Sequence, residues 1–195
     1  MSENDHEDPE GIQEWQKMIY TSQMRFRAER RMERHEALGE WTILFVSMLI
    51  FYLSALDAFG SLEQSRYNEL FKISVLTSSG LLIAYSTRLT MSQFGLKARR
   101  YRECAREIKF LAEDLKAAIA KKEEEKAESL REKYRKYCRT YDNHHQIDFD
   151  MNIRDKPSWR TQFAYWLHFW HYFVVLAWSF ILSISSTYAA FFHVR

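Results

Sequence analysis

The sequence predicts an all-α helical membrane protein: a two-span membrane hairpin, a cytosolic helical hairpin and a C-terminal third membrane segment. Three observations carry that expectation. From Trp41 to Leu62 the only charge is Asp57, and from Ile73 to Thr87 there is none. From Thr161 to Val194 there is no Asp, Glu, Lys or Arg at all. Between these stretches the charges crowd into two blocks, so a mean hydropathy of −0.44 averages over a segregated chain. With 195 residues the chain is long enough for one domain of ordinary size.

Residues 1–14 are acidic, hold Pro9 and Gly11, and show no apolar repeat, which predicts a disordered tail. Residues 15–40 read as a basic amphipathic helix. The first apolar stretch lies behind that charged helix, which does not suit a signal peptide. As a helix, residues 41–62 would be roughly 33 Å long, about the thickness of a hydrocarbon core. They are apolar all round, whereas a core helix of a soluble bundle keeps a polar stripe. A second span is expected at about 70–91. Its hydroxyls suit lipid because Ser and Thr can bond to carbonyls of their own helix. Gly80 and Ala84, four apart, suit close helix contact. Arginines 25, 27, 30, 31 and 34 precede the hairpin, and basic residues crowd 97–109 after it. The connecting link has only Arg66 and Lys72. Positive residues stay inside, so the N-terminus and both hairpin ends are expected in the cytoplasm.

Residues 93–156 are expected to form the cytosolic domain. Tyr101, Cys104, Ile108, Leu111, Leu115 and Ala118 recur at alternating spacings of three and four. Leu130, Tyr134, Tyr137, Tyr141 and His144 form a second stripe, out of register across 121–128. A turn into an antiparallel hairpin fits that break, and so does one long helix with a register shift. Beyond Pro157, the aromatics of 158–171 predict an interfacial helix, followed by a span from about Tyr172 to Phe192. A single tilted helix is the alternative.

The stretch Tyr141–Asp150, YDNHHQIDFD, looks like a site. Adjacent His144 and His145 would point about 100° apart on a helix. Only Asp148 can join His144 on one face, which leaves two ligands where zinc wants three or four. The reading is a structural corner, with Asn143 and Asp148 ending and starting turns and a His144–Asp148 hydrogen bond. Cys104 and Cys138 share no CxxC spacing and read as reduced packing residues. No HExxH, nucleophile elbow or Gly-rich phosphate loop appears. No enzyme activity, cofactor, metal or nucleic-acid partner is therefore expected.

A basic helix leads into a membrane hairpin, then the block ARRYRECAREIKFLAEDL, then Tyr134, Tyr137 and Tyr141. Asn143, His144, Asp148 and Phe149 follow as an N-H-x-x-x-D-aromatic pattern. Over about residues 15–150 this layout resembles the SLATT family, bacterial two-transmembrane effector domains that accompany nucleotide-signalling immunity systems. The third apolar segment departs from a minimal two-span plan. The resemblance implies an inner-membrane effector that forms a pore or permeabilises the membrane when a nucleotide second messenger, or its sensor or synthase, triggers it. One small hairpin encloses no pore, so this requires a homo-oligomer in the lipid bilayer. Ser74, Ser78, Tyr85 and Arg88 share one face of the second span and are the candidate lining; Asp57 is the candidate outer-mouth charge. Arg25, Arg27, Arg30, Arg31, Arg34, Arg99, Arg100 and Arg102 are candidates for a phosphate-bearing ligand, an acidic partner or anionic headgroups. A membrane-anchored scaffold that recruits partners through its cytosolic helices is the competing reading.

Overall fold

A computed structural model describes residues 9–58, 68–140, 148, 150 and 158–192. Six helices run through the described residues: α1 (Pro9–Ala58), α2 (Asn68–Ser92), α3 (Phe94–Ala120), α4 (Glu124–Thr140), α5 (Trp159–Leu167) and α6 (Trp170–Phe192). Helix α1 starts earlier than composition suggests, with Pro9 at its first position, where the missing N–H costs nothing. It then runs for 50 residues, so the basic segment and the first apolar segment are one helix. The chain divides into two compact units: residues 1–33 with 95–164, and residues 34–94 with 165–195.

The first unit is built on the α3 stripe. Cys104, Ile108, Leu111, Leu115 and Ala118 are buried against Met18 of α1 and against Ala127 and Leu130 of α4. Tyr134 and Tyr137 pack on the same cluster. The turn between α3 and α4 falls at Lys121–Glu123. Glu123 N–H bonds to Ala118 C=O at 2.9 Å and Lys122 N–H to Ile119 C=O at 3.0 Å, while Lys122 sits at φ 55°. This is a Schellman cap with lysine in the position glycine usually fills. Alternative readings of the register break are thereby resolved as a hairpin. Polar contacts tie α1 to its neighbours: Ser22 Oγ donates to Ala105 C=O at 2.8 Å, and the Thr21 and Tyr134 hydroxyls lie 3.0 Å apart. Arg131 of α4 bonds to Glu14, inside the stretch expected to be a tail.

The second unit packs α1, α2 and α6. Leu53 of α1 and Phe71 of α2 are buried together, with Leu56 and Val75 against them. The close approach expected at Gly80 occurs elsewhere: a Cβ added at Gly80 would meet nothing within 4 Å. At Gly39 of α1, by contrast, an added Cβ would lie 2.5 Å from a methyl of Leu89 on α2. Most Ser and Thr hydroxyls of α2 bond to their own helix, as Thr77 to Ile73 C=O at 2.7 Å and Ser79 to Val75 C=O at 2.8 Å. Large apolar side chains face outward, among them Phe51, Leu76, Ile83 and Phe180. An apolar exterior of this size wants lipid rather than water.

By length and apolarity α1 is able to cross a membrane, and α5 with α6 passes as a bent pair. Helix α2 has 25 residues, but its hydroxyls and Arg88 make it less apolar. The pair α5–α6 is bent by 58° at His168–Phe169, so the single tilted helix is not what forms. Tight i→i+3 bonds close the break: His168 N–H to Tyr165 C=O at 3.3 Å and Phe169 N–H to Trp166 C=O at 2.9 Å. The protein is an all-α membrane protein.

A Gly39→Val substitution should lower stability by about 1–3 kcal/mol through overpacking. Adding Leu89→Ala should recover part of that loss in detergent unfolding; an equal loss with and without Leu89→Ala would remove the close contact as its cause.

Candidate functional site

Asp148, the acid of the N-H-x-x-x-D pattern, lies buried in the first unit, and its described partner is Arg31 of α1. Arg31 Nε donates to Oδ1 and Nη2 to Oδ2, both at 3.0 Å. The side chains are 3% and 1% exposed. This is the planar, two-point geometry that guanidinium and carboxylate favour. A charge at this depth is tolerable only because the other is present. Asn143, His144 and Phe149 lie outside the described residues. The corner expected from sequence thus gains a partner 117 positions away. Local spacing carried no sign of it.

The other predicted basic residues separate by environment. Arg25 is 2% exposed, and its charge acts on Cys104 and Tyr134. Arg102 bonds to Glu29 and Glu33, which hold its proton more tightly. In the second unit Arg34 donates to Tyr165 Oη at 3.2 Å and lies over its ring. Arg99 and Arg100 are exposed on α3. Arg27, Arg30, Arg102 and Arg106 line a pocket of about 570 Å³ with Gln23, Phe26 and Glu29. Four guanidiniums line this concave site with one carboxylate, Glu29, and Glu33 also bonds Arg102, so positive charge predominates in it. Arg106 belongs to the basic cluster 97–109 but was not among the candidate residues named individually. Only the pairing of α1 with α3 brings it beside Arg30.

In the second unit a cavity of about 510 Å³ opens between three helices. Thr42 and Val46 come from α1, Ser78, Tyr85 and Arg88 from α2, and Val175 and Trp178 from α6. Three of the four predicted lining residues therefore meet, but inside one chain: Ser78 is 5% exposed. Ser74 is half-buried and not in the cavity wall. The side chain of Asp57 lies outside the described residues. The contributions of α1 and α6 were invisible in sequence, because apolar residues carry no record of which helix they meet.

An aromatic cluster in the same unit was also missed. His35 is buried, with Phe169 at 4.4 Å and Phe94 at 4.9 Å between ring centroids. Tyr172 Oη donates to His35 C=O at 2.9 Å and lies 3.1 Å from Nδ1. If the hydroxyl proton goes to the carbonyl, the ring contact is Nδ1–H to Oη. A histidine inside the basic helix gave no signal beyond its charge class. Among the described residues no three His, Cys, Asp or Glu side chains converge as metal ligands.

Replacing Arg31 by Met or Asp148 by Asn alone should cost about 3–5 kcal/mol, because a buried charge loses its partner. Replacing both, with Met and Leu, should recover most of it in denaturant unfolding. Additive losses would show that the two do not act as a pair. Burial pushes the Cys104 thiol from 9.0 up to about 11 and the Tyr134 phenol from 10.0 up to about 12. Both shifts favour the neutral form in the folded chain. Stability should hold below pH 9 and fall as pH rises through 11 to 12. A Cys104→Ala chain should lose the earlier part of that fall in unfolding curves from pH 8 to 11.5.

No curated protein and no solved structure matches this chain. One family model does match, from residue 11 to residue 192. The match extends beyond the 15–150 expected from sequence and takes in α5 and α6. The third apolar segment is therefore part of the family's domain rather than a departure from it. The chain belongs to the SMODS and SLOG-associating 2TM effector domain family 5.

Proposed function

We propose that this membrane effector acts in bacterial antiphage immunity by forming an oligomeric pore that permeabilises the inner membrane when triggered, stopping growth or killing the cell. The observation that carries the reading is the match to an effector domain over nearly the whole chain, together with the outward apolar faces of α1, α2 and α6. The chain is multi-pass with its N-terminus in the cytoplasm, on the asymmetry of arginine and lysine around the apolar segments. The trigger is a nucleotide second messenger or the protein that makes or senses one. The pocket of Arg27, Arg30, Arg102 and Arg106 is the candidate receiver, since guanidiniums bind phosphate oxygens in pairs. Ser78 and Tyr85 face the cavity of their own chain, so lining a pore requires α2 to part from α6 as copies assemble. Ser74, Arg88 and the Asp57 position complete the candidate path. No catalytic step enters this reading.

The burial of Ser78 favours a second reading, a membrane-anchored scaffold that recruits partners through its cytosolic helices. The two separate in one experiment. The full chain is reconstituted in dye-loaded vesicles of phosphatidylethanolamine and phosphatidylglycerol, with and without a cyclic dinucleotide. Its mass is measured in nanodiscs alongside. A pore releases dye steeply with protein density and shows a defined oligomer. An Arg27→Gln, Arg30→Gln, Arg106→Gln chain should lose the nucleotide response. A strictly monomeric chain that leaks under neither condition would sink the pore reading.

A further inference from the structure

Helix α2 carries two cations, Lys72 near its start and Arg88 one turn from its C-terminal end. None of the ion pairs among the described residues includes Arg88. Residues 41–56, 73–92 and 159–192 contain no Asp or Glu. Arg88 stands at the wall of the 510 Å³ cavity, a volume within the roughly 300–1,000 Å³ typical of small-molecule sites. The shape is elongated: from Ser78 to Arg88 the cavity follows about 15 Å of helix. Its wall between those points is Leu81, Leu82 and Ala84, faced by Val174, Val175 and Trp178. The hydroxyls of Thr42 and Ser179 are already bonded to Leu38 C=O and Val175 C=O, at 2.7 and 2.9 Å. An occupant therefore meets a long apolar slot with an exposed guanidinium at one end.

We propose that this cavity binds one anionic lipid, its acyl chain lying between α1, α2 and α6 and its phosphate headgroup on Arg88. Charge decides against a second copy of the chain as occupant. The apolar stretches 41–56, 73–92 and 159–192 that a copy could insert bring no acid to meet Arg88, whereas an anionic headgroup meets it with phosphate. Tyr85 and Trp178 suit the same arrangement, since both rings favour the zone where acyl chains meet headgroups. The site differs from the basic pocket of the first unit, and the proposal rests on the membrane reading alone. A chain that holds lipid without leaking dye would end the pore reading and leave this one standing.

The test is native mass spectrometry of the full chain released from detergent after incubation with phosphatidylglycerol or phosphatidylcholine. The wild-type chain should retain one phosphatidylglycerol per protomer in preference to phosphatidylcholine. Arg88→Gln should cut that preference by about fivefold, the effect of one basic residue on an anionic headgroup. Lys133→Gln, exposed on α4, should leave it intact. Ala84→Trp should fill the slot and lose the retained lipid of either kind. Equal retention of both lipids by the wild-type chain would overturn the assignment. So would retention unchanged in Arg88→Gln, or an Ala84→Trp chain that alters oligomer number and not lipid. Should Ala84→Trp fail to fold, the Arg88→Gln comparison decides alone.

Discussion

The first unit depends on a buried guanidinium and a buried carboxylate that must find each other. Arg31 sits in the basic helix and Asp148 lies beyond α4, so the contact forms only when the intervening helices have folded back. Desolvating both charges is expensive, and the attraction between them offsets the cost only in good geometry. That makes the pair a weak source of stability and a strong source of specificity. A chain with the hairpin in another register would leave two charges in an apolar core. The alanines and cysteine of α3 allow the close approach that this requires, since Cys104, Ala105 and Ala112 are fully buried.

The second unit meets a different constraint. Its exterior is apolar, so what needs managing is polar matter rather than apolar matter. Most Ser and Thr hydroxyls of α2 and α6 are bonded within their own helices, as at Thr77 and Ser183. The Tyr172 hydroxyl and the His35 carbonyl satisfy each other beneath two aromatic rings. Backbone groups in lipid have no water to turn to, which is why every described element here is helical. Gly39 then lets α1 come close enough to α2 for Leu89 to lie against bare backbone.

Fold class was legible because lipid and water sort residues by charge, and that sorting is written along the chain. The α3 stripe was legible for the same reason: Ile108 and Leu115 repeat at a period that only one helix face satisfies. The turn at Lys122 was harder, because the cap has no glycine and only backbone hydrogen bonds reveal it. The start of α1 was placed too late, since an acidic composition outweighed a proline that suits a first turn. For the candidate sites, the residue types were visible and their partners were not. Asp148 was read beside His144, which lies outside the described residues, and the arginine it bonds across the unit left no trace in local spacing. Long-range pairing depends on how helices meet, and single-chain periodicity records only that each has a face to bury.

The hydroxyls of α2 carry one consequence beyond solubility in lipid. Those of Thr77, Ser79, Ser86 and Thr87 are each held on a carbonyl of their own helix by a single χ1 choice. Turning χ1 to another staggered well redirects the hydroxyl outward without disturbing the backbone. Thr77, Ser79, Ser86 and Thr87 can therefore present a dry surface or a wettable one on the same helix. The helix is a surface with reversible polarity, and its change of character costs rotamers rather than secondary structure.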